Sequence, residues 1–375
     1  MASRKHAVLS ASDASRWSAC PPSVRLCESL PETTSDYARQ GTEAHALCEY
    51  KLRKALGERV RDPTKKLITY DAEMEECAET YVQFVMELVS QFREKSKDTL
   101  VSVEQRVEFS DYVPEGFGTA DTIIISGKTV CIVDFKYGKG IEVSADHNPQ
   151  MMCYALGCIQ LFDALYDFDT VLMVIFQPRL ANISEFQISK ADLLTWATET
   201  LAPAAKLAYA GEGEFVAGAH CRFCKAKATC RKRAEYNLEL AKYDFEMPPI
   251  LEDAEVEVVL AKADNLISWV SDIKAYALQQ AVQGKKWSDW KLVEGRSNRK
   301  YTDEVAVAKI VKEAGFEPYE QKLLGITAMT SLLGKTKFNE LLGNCITKPQ
   351  GKPTLVPMSD KRPAMNTAAD DFTEN

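Results

Sequence analysis

From Asp71 to Phe92 the residues Cys77, Tyr81, Phe84, Leu88 and Phe92 recur at three- and four-residue steps. That period predicts an amphipathic helix with one apolar stripe turned to a core. Two helical stretches precede it: residues 12–30, broken at Cys20-Pro21-Pro22, and Asp36 to about Leu56, with Ser35 as its N-cap. The pattern then changes to β-branched and apolar runs over Leu100–Phe109, Thr119–Ser126 and Thr129–Phe135. These read as strands, and the Ser126-Gly127-Lys128 turn makes the last two a hairpin. Pro149 to about Leu161 reads as a helix with proline in its first turn. Thr170–Gln177, apolar almost throughout, reads as a strand buried on both faces. Residues 190–245 read as mostly helical. The order predicts an α/β fold, a central mixed β-sheet flanked by helices.

Beyond residue 250 the character changes. Val256–Val282 is a long amphipathic helix by pattern, Trp287–Leu292 a strand candidate, and 303–345 a charged helical stretch. The segment from Lys348 onward, rich in Pro and Asp, reads as a poorly ordered tail.

With 375 residues, 46% hydrophobic and 27% charged, the chain can bury a sizeable core and form two or three units. Apolar runs stay far below the roughly eighteen residues of a membrane span, and Met1–His6 lacks a secretory apolar stretch. The expectation is a cytoplasmic protein with no membrane partner. A net charge of −8 disfavours a protein that coats nucleic acid non-specifically. Between Arg222 and Arg233, however, Arg222, Lys225, Lys227, Arg231, Lys232 and Arg233 occur with no acid. This run is either a DNA-facing rim, with Phe223 available for base stacking, or a solvated helix face.

An odd count of eleven cysteines argues against a disulfide framework and for metal binding by some of them. Cys48, Cys77, Cys131, Cys153, Cys158 and Cys345 fall in apolar contexts, where cysteine acts as a small hydrophobe. Cys221, Cys224 and Cys230 form a C-x2-C-x5-C set able to face one centre. Cys20 is the choice for a fourth ligand and Cys27 its rival; structural Zn2+ would be served equally by such thiolates. Trp269, Trp287 and Trp290 read as core anchors.

The densest chemistry lies on the hairpin, in Gly118-Thr119-Ala120-Asp121 and Val133-Asp134-Phe135-Lys136. Burying an unpaired carboxylate costs several kcal/mol, so two beside a lysine point to a cation or a chemical task. Asp121 and Asp134 can hold Mg2+ or Mn2+ through hard oxygen ligands. Lys136, two residues beyond Asp134, shares its strand face and can stabilise charge on a phosphate. The alternative is a strand-end cap at Asp121 and a surface ion pair between Asp134 and Lys136. His45, one turn before Glu49 on a helix, is either a metal ligand or a satisfied polar residue. Gln150 and Tyr154, also one turn apart, could bond a phosphodiester or orient the lysine. Glu104 and Glu108 are auxiliary ligand candidates.

The ordered set His45, Gly118-x-x-Asp121, Asp134-x-Lys136 and Gln150-x-x-x-Tyr154 resembles the RecB-like branch of the PD-(D/E)xK nuclease superfamily, over about residues 10–235. The resemblance implies a restriction-endonuclease-like core in residues 1–245. In it, His45, Asp121 and Asp134 would bind a catalytic Mg2+ or Mn2+, Lys136 would assist hydrolysis, and Gln150 and Tyr154 would contact DNA or support the site. The implied activity is metal-dependent cleavage of DNA, commonly exonucleolytic. Cys20, Cys221, Cys224 and Cys230 are similar to the iron-sulfur staple of AddB-type and CRISPR-adaptation RecB-like nucleases. That likeness implies a [4Fe-4S] cluster tying the N-terminal helix to the end of the domain, with structural Zn2+ as the alternative.

The region 250–346, with Trp287–Leu292, and the segment Lys352–Pro357 within the tail 347–375 are similar to an uncharacterised, phage-associated family. Phage or prophage recombination or repair in a bacterial host cytoplasm is what this implies, with a recombinase or single-strand annealing protein as partner. A rival from another class is a non-catalytic DNA-binding or assembly protein built on a nuclease fold; a third is an RNA- or flap-directed nuclease.

Overall fold

The structure is a computed structural model that describes residues 7–31, 36–239, 251–294, 301–319 and 323–347. Residues 1–279 form one compact unit and residues 280–375 a second. The first contains α1 (Ala14–Ala19), α2 (Ser23–Glu28), α3 (Asp36–Ala55), α4 (Ala72–Lys95), β1 (Leu100–Glu108), β2 (Phe117–Ser126), β3 (Thr129–Phe135) and α5 (Pro149–Phe162). It continues through β4 (Thr170–Gln177), β5 (Asn182–Ser189), α6 (Lys190–Trp196), α7 (Ala202–Ala210) and α8 (Arg231–Leu238). The long α9 (Asp253–Val282) follows, and α10 (Glu304–Glu313), α11 (Ile326–Leu333) and α12 (Lys335–Leu342) lie in the second unit. The fold is α/β, with a five-stranded mixed sheet flanked by helices and a mostly helical C-terminal region.

The strands lie in chain order, β1-β2-β3-β4-β5. Every pairing is antiparallel except β3 with β4, whose parallel register from Thr129↔Thr170 to Phe135↔Phe176 is made possible by the crossover through α5. One face of the sheet buries Ile124, Cys131, Val133, Phe135, Val174 and Phe176 against α3 and α4. The other buries Ile123, Ile125, Val130, Ile132, Val171, Met173 and Ile175 against α5, α1 and α7. Local signals set the helix starts: Asp71 accepts the Met74 N–H before α4, and Asn148 accepts those of Gln150 and Met151 before the Pro149 start of α5.

Several expectations shift. The buried stripe of α4 runs through Tyr81, Val85 and Val89, while Phe84 and Leu88 are only partly covered at its margin. β5 is an additional edge strand whose alternating burial left too weak an apolar run to read from sequence. Trp287–Leu292 is irregular, not a strand, and Trp290 is exposed, so it anchors no core; Trp269 is buried. Cys345 is exposed in a short turn, unlike the buried Cys48, Cys77, Cys131, Cys153 and Cys158. The proposed Ser35 cap and the tail from Lys348, including Lys352–Pro357, lie outside the described residues. Among the described residues no helix is long and apolar enough to cross a membrane.

Two irregularities position the site. β2 and β3 pair only from Ser126↔Thr129 to Thr122↔Val133; beyond that point β2 stays with β1 and β3 with β4, so the sheet forks. The second is a face switch in β1 and β2. Val103 joins the α3/α4 core but Val107, an even number of residues on, joins the α5 core. Likewise Ala120 and Ile123, an odd number apart, share the α5 core. Strict alternation forbids both. The switch occurs at Glu104, whose φ is 49°, opposite Asp121; partners on either side, Val103↔Thr122 and Gln105↔Ala120, keep one register.

Candidate functional site

Asp121 stands where the fork opens. Its Oδ2 accepts the Phe135 N–H at 2.7 Å, a donor that the departing β2 leaves without a strand partner, and its Oδ1 lies 3.3 Å from His45 Nδ1. His45 comes from the middle of α3 and sets its ring edge-on to Phe135, with centroids 5.4 Å apart. Burial works against a charged imidazole. Asp121, then Asp134 and Glu104, outweigh it and raise His45 to about 9. For Asp121 burial pushes upward, yet His45, the Phe135 N–H and Lys136 hold it below the ordinary carboxylate range.

Asp134 projects between Val133 and Phe135, hence toward α5. Gln150 Nε2 donates to its Oδ1 at 3.3 Å and to the Tyr154 hydroxyl at 3.1 Å, while Lys136 Nζ donates to Gln150 Oε1 at 2.9 Å. Lys136 Nζ also lies 2.8 Å from Asp134 Oδ2, out of line for a hydrogen bond, and that oxygen, fully shielded from solvent, has no hydrogen-bond donor. Burial, helped by Asp121 and opposed by Lys136, raises the Asp134 carboxyl. Its partner is the Lys136 ammonium, and the carboxylate offers hard oxygens to a cation as well. Gly118 is needed because Tyr154 lies against it: a Cβ there would stand 2.7 Å from Tyr154 Cε1.

Thus Asp121, Asp134, Lys136, Gln150, Tyr154 and His45 converge on one fork. Glu104 joins them, since one ligand atom each from His45, Glu104 and Asp121 lie within 4.8 Å of one another. Burial and then the nearby Asp121 raise Glu104 to about 7. Glu108 does not join: it is exposed, 3.5 Å from Arg106. Glu49 instead pairs with Arg53 at 2.9 Å.

The cysteines gather separately. Cys20, Cys221, Cys224 and Cys230 line one small cavity with Arg16, His220 and Lys227. The Val216 and Gly218 N–H groups donate to Cys20 Sγ and Cys221 Sγ, each at 3.4 Å. Cys27 lies outside that lining but brings its Sγ to 3.6 Å from Cys224 Sγ. The Cys224 contact draws Cys27 down to about 6 and raises its partner. Four thiolates on one Zn2+ at about 2.3 Å would sit about 3.8 Å apart. Among the described residues no three cysteine sulfurs lie mutually within 4.8 Å.

The basic run is divided. Arg222, Lys225, Arg231 and Lys232 are exposed, as is Phe223 at 71%, but Arg233 is buried and meets Asp272 of α9 at 2.6 Å, and Lys227 meets the same carboxylate at 2.9 Å. Arg233 and Lys227 are structural clasps, not free rim cations.

Over residues 6–363 the chain matches the family described as "Protein of unknown function (DUF2800)". It belongs to that family. Among solved structures it is similar to one titled "Crystal structure of SSO0001", with 16% identity, a TM-score of 0.22, and coverage of 52% of this chain and 98% of that one.

His220 was not assigned a role from sequence. It lines the cavity with Cys20 and Cys221, whose thiols raise it to about 10, and its Nε2 lies 2.9 Å from the Val216 carbonyl oxygen. Its direct adjacency to Cys221 was the available signal. The sequence offers Glu104 only as an auxiliary candidate, because nothing in its neighbours signals a left-handed backbone.

Proposed function

We propose that this protein is a divalent-metal-dependent nuclease acting on DNA, with its centre at the β2/β3 fork. The observation that carries the reading is the convergence there of His45, Asp121, Asp134 and Lys136, with the buried Asp134 carboxylate paired to the lysine. His45, Asp121 and Asp134 would hold Mg2+ or Mn2+; the hard carboxylate oxygens fit such an ion, and His45 joins them on giving up its proton. When bound, such an ion would supply Lewis acidity toward a phosphate and lower the pKa of bound water. Lys136, held by Asp134 and Gln150, places a positive charge where the phosphate gains negative charge. Gln150 and Tyr154 fix the lysine and carboxylate in one geometry, which positional catalysis needs. Cys20, Cys221, Cys224 and Cys230 would hold a [4Fe-4S] cluster, with structural Zn2+ as the alternative, that fastens α1 to the segment after α7; their shared cavity and the backbone N–H groups aimed at sulfur support a thiolate-ligated centre. Exonucleolytic action at DNA ends in phage recombination, beside a recombinase or annealing partner, is the setting this reading carries.

The test is purified protein with end-labelled single- and double-stranded DNA and Mn2+, beside Asp134→Ala and Lys136→Ala. Cleavage by the wild type, lost in both variants with DNA binding retained in Lys136→Ala, is expected. Binding without cleavage by the wild type would instead establish a non-catalytic DNA-binding protein. Cys221→Ser should lose a brown chromophore; a colourless wild type containing zinc refutes the cluster.

A further inference from the structure

The backbone of β1 departs from a strand at one residue, and the departure is costly. Glu104 holds φ at 49°, a region that disfavours any side chain by about 1–2 kcal/mol. Glycine would take it freely. The distortion is also braced. Arg53 of α3 donates to the Val103 carbonyl at 2.7 Å, and Ser102 bonds across the distortion to Gln105 at 2.9 Å. A strained conformation kept at a glutamate and supported from α3 calls for a use of that carboxylate.

The surroundings indicate the use. Glu104 is half-buried and forms no hydrogen bond or ion pair among the described residues, although His45 and Asp121 each offer a ligand atom within 4.8 Å of it. Six ligands at about 2.1 Å around one ion stand about 3–4.3 Å apart, so a set this close needs little movement to close on a cation. Asp134, by contrast, is already engaged: Gln150 donates to one of its oxygens and the Lys136 ammonium lies beside the other. Its side chain also points to the α5 face, whereas His45 comes from α3 on the other face.

We propose that Glu104 is a direct ligand of the divalent cation, so that His45, Glu104 and Asp121 form its principal protein cage on the α3 side of the sheet, and that the distortion of β1 serves to deliver this carboxylate. This deepens the metal-centre reading above and rests on it. Asp134 then approaches the ion from the fork with Lys136 beside it.

The test is Mn2+ binding to the full chain by titration calorimetry and by the electron paramagnetic resonance signal of free Mn2+. Wild type, Glu104→Gln, Glu104→Gly and, as a control on the same strand, Glu108→Gln are compared, with thermal melts of each without metal. Glu104→Gln should weaken Mn2+ at least tenfold. Glu104→Gly should weaken it similarly while raising the melting temperature, an opposition that a merely structural glutamate would not produce. Glu108→Gln should leave affinity unchanged. Wild-type affinity in Glu104→Gln, a lowered melting temperature in Glu104→Gly, or no Mn2+ binding by the wild type overturns the proposal. Glu104-dependent Mn2+ binding in a protein that leaves labelled DNA intact sinks only the nuclease reading. Mn2+-dependent cleavage with wild-type affinity in Glu104→Gln sinks only the ligand assignment.

Discussion

Gly118→Ala tests whether the Tyr154 ring sets the site. The added Cβ would stand 2.7 Å from Tyr154 Cε1 and 3.2 Å from the Ala11 Cβ. Carbon atoms favour about 3.5–4.0 Å, so the ring must withdraw by about 0.8 Å. It has little room, being 6% exposed within the α5-side core. Overpacking of this kind costs about 1–3 kcal/mol, offset by about 0.4–1 kcal/mol from the narrower unfolded ensemble of alanine. A net loss of about 1–2 kcal/mol follows. The same withdrawal pulls the hydroxyl from Gln150 Nε2, now 3.1 Å away, and so loosens Asp134 and Lys136. Misplacement on that scale costs about a hundredfold in rate at a reacting centre. Urea unfolding and Mn2+-dependent cleavage measure the two effects. In a double-mutant cycle with Tyr154→Leu, removing the ring should relieve the clash and give a coupling energy above about 0.5 kcal/mol. Strict additivity, or full stability in Gly118→Ala, would refute the argument.

Three further outcomes are expected. His45, raised to about 9 from its ordinary 6.5, contributes stability that is fully present below pH 6.5 and lost as pH rises through 9; melts of the metal-free protein should fall across that window and His45→Gln should flatten the fall. Glu104, raised to about 7 from the usual carboxylate range, favours the folded state when protonated, so Glu104→Gln should remove a loss of stability between about pH 4.5 and 7. Asp272→Ala leaves the Arg233 guanidinium buried without its partner at 2.6 Å, and denaturant unfolding should show a loss of about 3 kcal/mol, with α9 released to proteolysis.

Much of the fork is readable from two periods. The two-residue spacing of Asp134 and Lys136 puts them on one strand face, and the four-residue spacing of Gln150 and Tyr154 puts them on one helix face; the structure keeps both pairs together. The hairpin turn, with Gly127 at φ 56°, follows from its residues as well. What escapes is whatever depends on breaking a period. Glu104 and Glu108 read as equivalent positions on a regular strand, but the left-handed residue turns them to different surroundings. On α4, the three- and four-residue recurrence points to Phe84 and Leu88, whereas the sheet is met by the compact Val85 and Val89. In β5, burial is confined to alternate positions of an edge strand, so no apolar run announces it. The clasp of Arg233 on Asp272 joins residues 39 apart, beyond any local pattern.

The cysteine cavity also bears on how the chain is assembled during synthesis. The sheet closes locally, with β1-β2, β2-β3 and β4-β5 as sequential antiparallel neighbours. The N-terminal segment must wait much longer: Arg25 finds the Tyr209 carbonyl 184 residues on, and Cys20 receives the Val216 N–H after 196. Closure entropy grows only slowly with length, but contacts of such separation form late. α1 can pack on α5 early, but until the stretch through Cys230 is made, the cavity that Cys20 shares with Cys221, Cys224 and Cys230 stays incomplete. A segment that precedes the sheet in the chain is thus completed only after it, and its thiols meet their partners late in the synthesis of the unit.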